Sequence, residues 1–224
     1  MTATDVTGAT DATDASGATD GADVAAGPRA ELLAAARNPT AAWLESCFGE
    51  GTLWRPESLP EGLESGTARA FLTEVGIPAV ELDFVGYDSA DLPERGMWEA
   101  DTDELYARDP EDDSPAGLAY CVGKFDDWHL MVDAECGVVE IYNSDGWTTG
   151  RGHGGWAADS LPEVIGALGL LAGFEERIVN GDTQTALDEF EALVAQLGQG
   201  PDKSDLWVGL LENLREEYEE FDED

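Results

Sequence analysis

The sequence predicts an α+β fold, an antiparallel sheet with a central meander covered by N-terminal and C-terminal helices, and three observations carry that prediction. Between Gly117 and Asn143, three runs rich in β-branched and aromatic residues (118–123, 128–133 and 138–143) are separated by turn-rich tetrapeptides, the pattern of three antiparallel strands. Period-two alternation places Leu118, Tyr120 and Val122 on one face, and Trp128, Leu130 and Val132 likewise, so at least one face of this meander needs a helical cover. Segments with apolar residues at three-and-four spacing stand on both sides of it and supply that cover.

Residues 1–27 repeat Gly-Ala-Thr-Asp with small variations and have nothing to bury, so they read as a disordered acidic low-complexity tail. A single domain is expected over residues 28–218, followed by an acidic tail, 219–224. Pro28 opens a short helix as its first-turn residue. Thr40 caps a second, with Trp43, Leu44 and Phe48 on its apolar face. Residues 49–66, rich in Pro and Gly, form a loop. A helix over Thr67–Val75, buried through Phe71, Leu72 and Val75, stops at Gly76 with Pro78 close behind. Leu82–Tyr87 reads as a strand, and Asp88–Ala116 as a long acidic insertion in which a further strand is possible at Glu104–Arg108.

In the meander, the turn Asp133–Gly137 carries the sharpest local signal. Asp133 is placed to accept from backbone amides, and Gly137 supplies the positive φ that launches the third strand. Ser144–Asp159 then reads as a Gly-rich loop. Ser160 and Glu163 form a capping box for a helix bearing Leu161, Val164, Ile165, Leu168, Leu171, Phe174 and Ile178, which is expected to pack across the sheet. Asp182 caps the next helix, with Leu187, Phe190, Leu193, Val194 and Leu197 on one side and Gly198 as its stop. The last helix, from Ser204, aligns Trp207, Leu210, Leu211, Leu214 and Tyr218.

Forty-nine acidic against eleven basic side chains give a net charge of −38, and residues 28–214 alone carry 37 acids against ten bases. A body of that sign repels phosphate backbones, so direct nucleic-acid binding is not expected and a basic protein partner is favoured. Only Lys124 and Lys203 are lysines and the other nine bases are Arg, a skew that GC-rich coding or adaptation to a salty cytoplasm also produces. Cys47, Cys121 and Cys136 are odd in number and lack metal-ligand spacing, which reads as reduced thiols in a cytoplasmic protein. No apolar run approaches a membrane span and no leader is visible, so no membrane partner is expected.

FLTEVGIP at Phe71–Pro78, then a strand, a hairpin with the Asp133–Gly137 turn and a capped helix together resemble the SUKH superfamily (Smi1/Knr4-like), and most closely the SUKH-4 immunity proteins of bacterial polymorphic toxin systems. The resemblance covers about residues 50–180. The acidic repeat, the 88–116 insertion and the Gly-rich stretch before Ser160 depart from the family pattern. The resemblance implies structural roles for Gly76, Pro78, Asp133 and Gly137. It also implies a non-catalytic protein that binds and neutralises a cognate toxin, such as a nuclease or deaminase, inside the cell that makes it.

Enzyme chemistry finds weaker footing in the residues. Gly150–Gly155 has neither Rossmann spacing nor a Lys-Ser/Thr ending, so no nucleotide cofactor is expected. The acids at 101, 103, 109, 111, 112 and 113 lack the Gly and Glu of a calcium loop, so no metal is expected. His153 with Asp159 or Asp145 as orienter suggests a remote hydrolase alternative, without a recognisable nucleophile elbow. His129 lies mid-strand and is expected to turn away from the Trp128 face. For partner binding, Trp98, Trp128, Trp147 and Trp156 are candidate aromatic anchors, Asp126 and Asp127 candidate turn acids, and Arg151 the base of the Gly-rich loop. A regulatory or scaffold module on the same fold is the alternative binding role.

Overall fold

In the computed structural model, which describes residues 21–101, 118–143 and 152–219, helix α1 (Gly21–Arg37) begins seven residues ahead of Pro28. Pro28 was expected in the first turn. Inside a helix it forfeits its own amide bond, and the surrounding alanines carry the helix past it. Helix α2 (Ala41–Phe48) starts where expected, with Thr40 Oγ1 accepting from Trp43 N at 3.2 Å and Leu44 fully buried. The loop expected over 49–66 contains strand β1 (Leu53–Trp54). It pairs antiparallel with β2 (Ile77–Pro78), so the residues just past Gly76 are held by a small sheet of their own. Between them, α3 (Gly66–Glu74) buries Ala68, Phe71 and Leu72, and Gly76 N donates to Phe71 O at 2.8 Å to close the helix.

The strand expected over Leu82–Tyr87 is instead a hairpin. Strands β3 (Glu81–Leu82) and β4 (Tyr87–Asp88) pair across a 3₁₀ turn at Asp83–Val85, because Gly86 N folds back onto Asp83 O at 3.3 Å and breaks the extension. The acidic insertion holds a short helix α4 (Leu92–Arg95) and strand β5 (Glu99–Asp101). The further strand suggested at 104–108 lies outside the described residues.

The meander forms as expected: β6 (Leu118–Phe125), β7 (Trp128–Asp133) and β8 (Val139–Asn143) are joined in antiparallel register. It is extended by β9 (His153–Ala158), a segment expected to be loop. The whole is a seven-stranded antiparallel sheet of order β3-β4-β6-β7-β8-β9, with β5 pairing on β6. One edge of β6 is thus shared, β4 taking its C-terminal end (Tyr87↔Phe125) and β5 its N-terminal end (Glu99↔Tyr120). Strand β9 has no alternating pattern to announce it. Side chains at the start of the last helix stabilise it: Trp156 N donates to Asp205 Oδ2 at 2.8 Å, and Oγ of Ser204, the residue just before that helix, donates to Ala157 O at 2.9 Å.

One face of the sheet, with Tyr120, Val122, Leu130, Val132, Val139 and Ile141, joins the main core. The opposite face carries a smaller cluster of Ala119, Cys121, Met131 and Tyr142, with Trp98 packed on it. The main core is completed by α5 (Leu161–Ala172), α6 (Glu175–Asn180), α7 (Thr183–Leu197) and α8 (Asp205–Glu219). Helix α5 is buried on nearly every side. Of the large sheet it meets chiefly β9, and otherwise it packs against α1, α2, α3 and α7, so it is the hub of the helical layer more than a cover across the sheet. It stops at Gly173, short of the expected run to Ile178. Ser160 stands at its N-cap without a hydroxyl cap bond, so the capping box is not formed as expected. Pro162 in the first turn removes one of the amides such a cap would serve. Asp182 does cap α7, accepting from Thr185 N at 3.3 Å. Among the described residues no helix is long and apolar enough to cross a membrane.

Candidate functional site

Helix α8 meets the sheet through two adjacent rows of residues. Leu206, Leu210 and Leu214 are buried, while Asp205, Gly209, Asn213 and Glu217, at strict four-residue spacing, form the neighbouring row. Facing that second row across a gap are the 3₁₀ turn Asp83–Val85 and the β6–β7 hairpin tip. The result is a cleft of about 440 Å³, lined among others by Phe84, Phe125, Trp128 and Ile141. Its ends are fixed by Tyr218 OH donating to Phe84 O at 3.4 Å and by the Asp205–Trp156 bond. The cleft stays open because Gly209 presents no side chain: a Cβ built there meets nothing within 4 Å.

Trp128 stands at the mouth of this cleft and is 37 % exposed, one of the few large apolar side chains at the described surface. Asp126 is beside it at the hairpin tip. It is the one described non-glycine residue with positive φ, +47°, a conformation that Asp tolerates and Gly adopts without strain. Its carboxylate packs on Gly86, while its N–H donates to Gly86 O at 2.9 Å. Asp126→Gly is therefore expected to raise stability by about 0.5–1 kcal/mol in urea denaturation, since the backbone bond survives and the strain goes. A loss of stability would show instead that the carboxylate holds the turn.

The lining carries four carboxylates, Asp83, Asp126, Asp205 and Glu217, and no base. Asp205 is engaged by the Trp156 amide, which leaves the other three as the exposed acidic rim over an apolar floor. Of the residues expected to bind a partner, Trp128 and Asp126 line the cleft and Asp127 is exposed on the same turn. Trp156, on β9, is half-buried and joined to the site through its backbone. Trp98 lies on the opposite sheet face, its ring edge-on to His129 at 5.3 Å. Trp147 and Arg151 lie outside the described residues. Phe84, Gly209, Asn213 and Glu217 were not singled out from sequence, although the 205-209-213-217 row is visible there.

Two other places bear on chemistry. On the opposite face a second cleft of about 320 Å³ is bordered by Asp91, Trp98, Cys121, Lys124 and His129, with Lys124 Nζ 3.2 Å from Asp88. Burial there pushes the Cys121 thiol up to about 11, the wrong direction for a nucleophile. On β8 and β9, His153 Nε2 lies 3.5 Å from Glu140 Oε1, and the Tyr142 hydroxyl donates to Glu140 Oε2 at 2.8 Å. Glu140 raises the pKa of His153, and the His153 contact lowers that of Glu140. The carboxylate beside His153 is thus Glu140 and not Asp159, and Asp145 lies outside the described residues. Asp159 lies six residues further along an extended strand, about 20 Å away. All three cysteines are free thiols. No group of three or more His, Cys, Asp or Glu among the described residues is placed to hold a metal. Comparison with protein-family models, with curated proteins and with solved structures finds no match in any of the three.

Proposed function

We propose that this is a non-catalytic binding protein, a cytoplasmic immunity protein that neutralises a cognate, basic toxin by stoichiometric association. The observation that carries the reading is the cleft beside Trp128, an apolar floor and a solvent-exposed indole bordered by carboxylates. Aromatic side chains in partly desolvated depressions are the usual anchors of protein interfaces. The net charge of −38 supplies the long-range part, because a field of that sign accelerates encounter with a positively charged, nucleic-acid-cleaving partner. The resemblance of Phe71–Pro78 and the Asp133–Gly137 turn to SUKH-4 immunity proteins points the same way.

Co-expression tests this directly. The protein is expected to restore growth of cells producing the toxin encoded by the neighbouring gene and to co-purify with it at one-to-one stoichiometry. The association rate is expected to fall at least tenfold from about 50 mM to about 500 mM salt, as screening shortens the reach of the field. No rescue and no binding with any neighbouring toxin would end the immunity reading. A rate indifferent to salt would reduce the charge to a solvating role.

A further inference from the structure

We infer that the cleft beside Trp128 takes an arginine-bearing, otherwise apolar segment of the partner, with the guanidinium between Asp126 and Glu217 and the aliphatic stem on the indole. This rests on the binding reading above and names what the site recognises. Its size lies within the range of roughly 300–1,000 Å³ typical of recessed ligand sites, so it accommodates more than one side chain. The floor from Phe84, Phe125 and Leu210 asks for apolar groups, which excludes a purely polar, polycationic stretch as the best occupant. The rim answers the opposite question. With Asp83, Asp126 and Glu217 exposed and no base in the lining, an acidic or phosphorylated segment meets repulsion on every side, and a cation is favoured.

Arginine fits better than lysine for two reasons visible in the site. A planar guanidinium forks to a carboxylate with two parallel bonds, and its weaker hydration lets it leave bulk water with its stem laid on the exposed indole of Trp128, where an ammonium offers a point charge with a tighter hydration shell. Asp126 adds a further observation. A glycine would fit the φ of +47° at the hairpin tip without strain, yet the position carries a carboxylate that opens onto the cleft. The open place opposite, at Gly209, is where the partner's apolar residue would lie.

The probe is a blocked Leu-Arg-Leu peptide titrated into the full chain, followed by the Trp128 indole N–H signal and by calorimetry. Its counterpart with citrulline keeps the shape and removes the charge. The arginine peptide is expected to bind and perturb Trp128, and the citrulline peptide to bind at least tenfold more weakly. Gly209→Leu, which fills open space, is expected to melt no lower than the wild type and to lose the peptide. Asp126→Asn combined with Glu217→Gln serves as a second variant that leaves the packing alone, with at least tenfold weaker binding expected. Equal affinity for both peptides, or arginine-peptide binding unchanged in these variants, would overturn the assignment. If the toxin is neutralised unchanged by Gly209→Leu, the cleft assignment falls and the immunity reading stands. If the arginine peptide binds as described and no neighbouring toxin does, the cleft chemistry stands and the immunity reading falls.

Discussion

Gly166→Ala is expected to destabilise the protein by about 3 kcal/mol or more, while Gly209→Ala is expected to stabilise it by about 0.5–1 kcal/mol. Both glycines sit in helix interiors, where propensity alone favours alanine by about 1 kcal/mol. Their surroundings decide the sign. A Cβ at Gly166 would overlap the carbonyl oxygen of Ala36 and come within 2.9 Å of its carbonyl carbon, so the clash is with the backbone of α1 and no rotamer change relieves it. Helix α1 has little freedom to retreat: Leu33 and Ala36 are buried against the core, and Arg37 Nη2 donates to Gln196 O at 2.7 Å. The loss is a large share of the 5–15 kcal/mol that holds a typical domain together, and corresponds to a fall in Tm of about 6–12 °C. Urea denaturation with an unchanged m-value measures both variants. A gain in stability for both would mean that propensity outweighs the α1–α5 contact.

What could be foreseen in the sequence follows the range of the interactions involved. Thr40, Asp182 and Gly198 act within one turn of their helices, and their cap bonds form as their residue types dictate. Asp133 does the same in the meander, its Oδ1 accepting from Glu135 N at 2.9 Å and Cys136 N at 2.7 Å. The alternation of β7 correctly separates Leu130 and Val132, in the main core, from His129 and Met131 on the other face. Strand β9 was missed for the complementary reason. His153–Ala158 holds two glycines and two alanines and is fixed by β8 and by Ser204 and Asp205, residues nearly fifty positions away. Helix α5 has the apolar period of a helix that covers a sheet, but its small residues Gly166 and Gly169 let α1 and α2 approach instead.

The cleft combines both situations. Its wall on α8 is a four-residue row that periodicity can show, and Trp128 with Asp126 stands out at a hairpin tip. The third wall, Asp83–Gly86, comes from the segment that read as a plain strand. Its turn is needed before the cleft has a closed side, so the site is legible as a list of residues and not as a cavity.

Gly137→Ala is expected to cost about 3 kcal/mol in the wild-type background and only about 1–2 kcal/mol when Ser65 is replaced by glycine. Two separate demands fall on this one position. Its φ of +81° costs any residue with a Cβ about 1–2 kcal/mol, wherever the turn sits. The meander turn is also docked on the start of α3: Glu64 N and Ser65 N donate to Ala134 O at 2.7 and 2.8 Å, and a Cβ at Gly137 would overlap Ser65 Oγ and lie 3.0 Å from its Cβ. Ser65 cannot swing away without loss, because its hydroxyl caps α3 by accepting from Ala68 N at 3.4 Å. Ser65→Gly alone is expected to cost a few tenths of a kcal/mol, glycine being a tolerable N-cap. The double-mutant cycle therefore isolates the docking contact, with an expected coupling of about 1 kcal/mol or more. Additive effects would reduce the role of Gly137 to the backbone of its own turn. Coupling would place the Asp133–Gly137 turn in the joint between meander and α3, which sets where β6 and β7, and with them Trp128, stand relative to the helices.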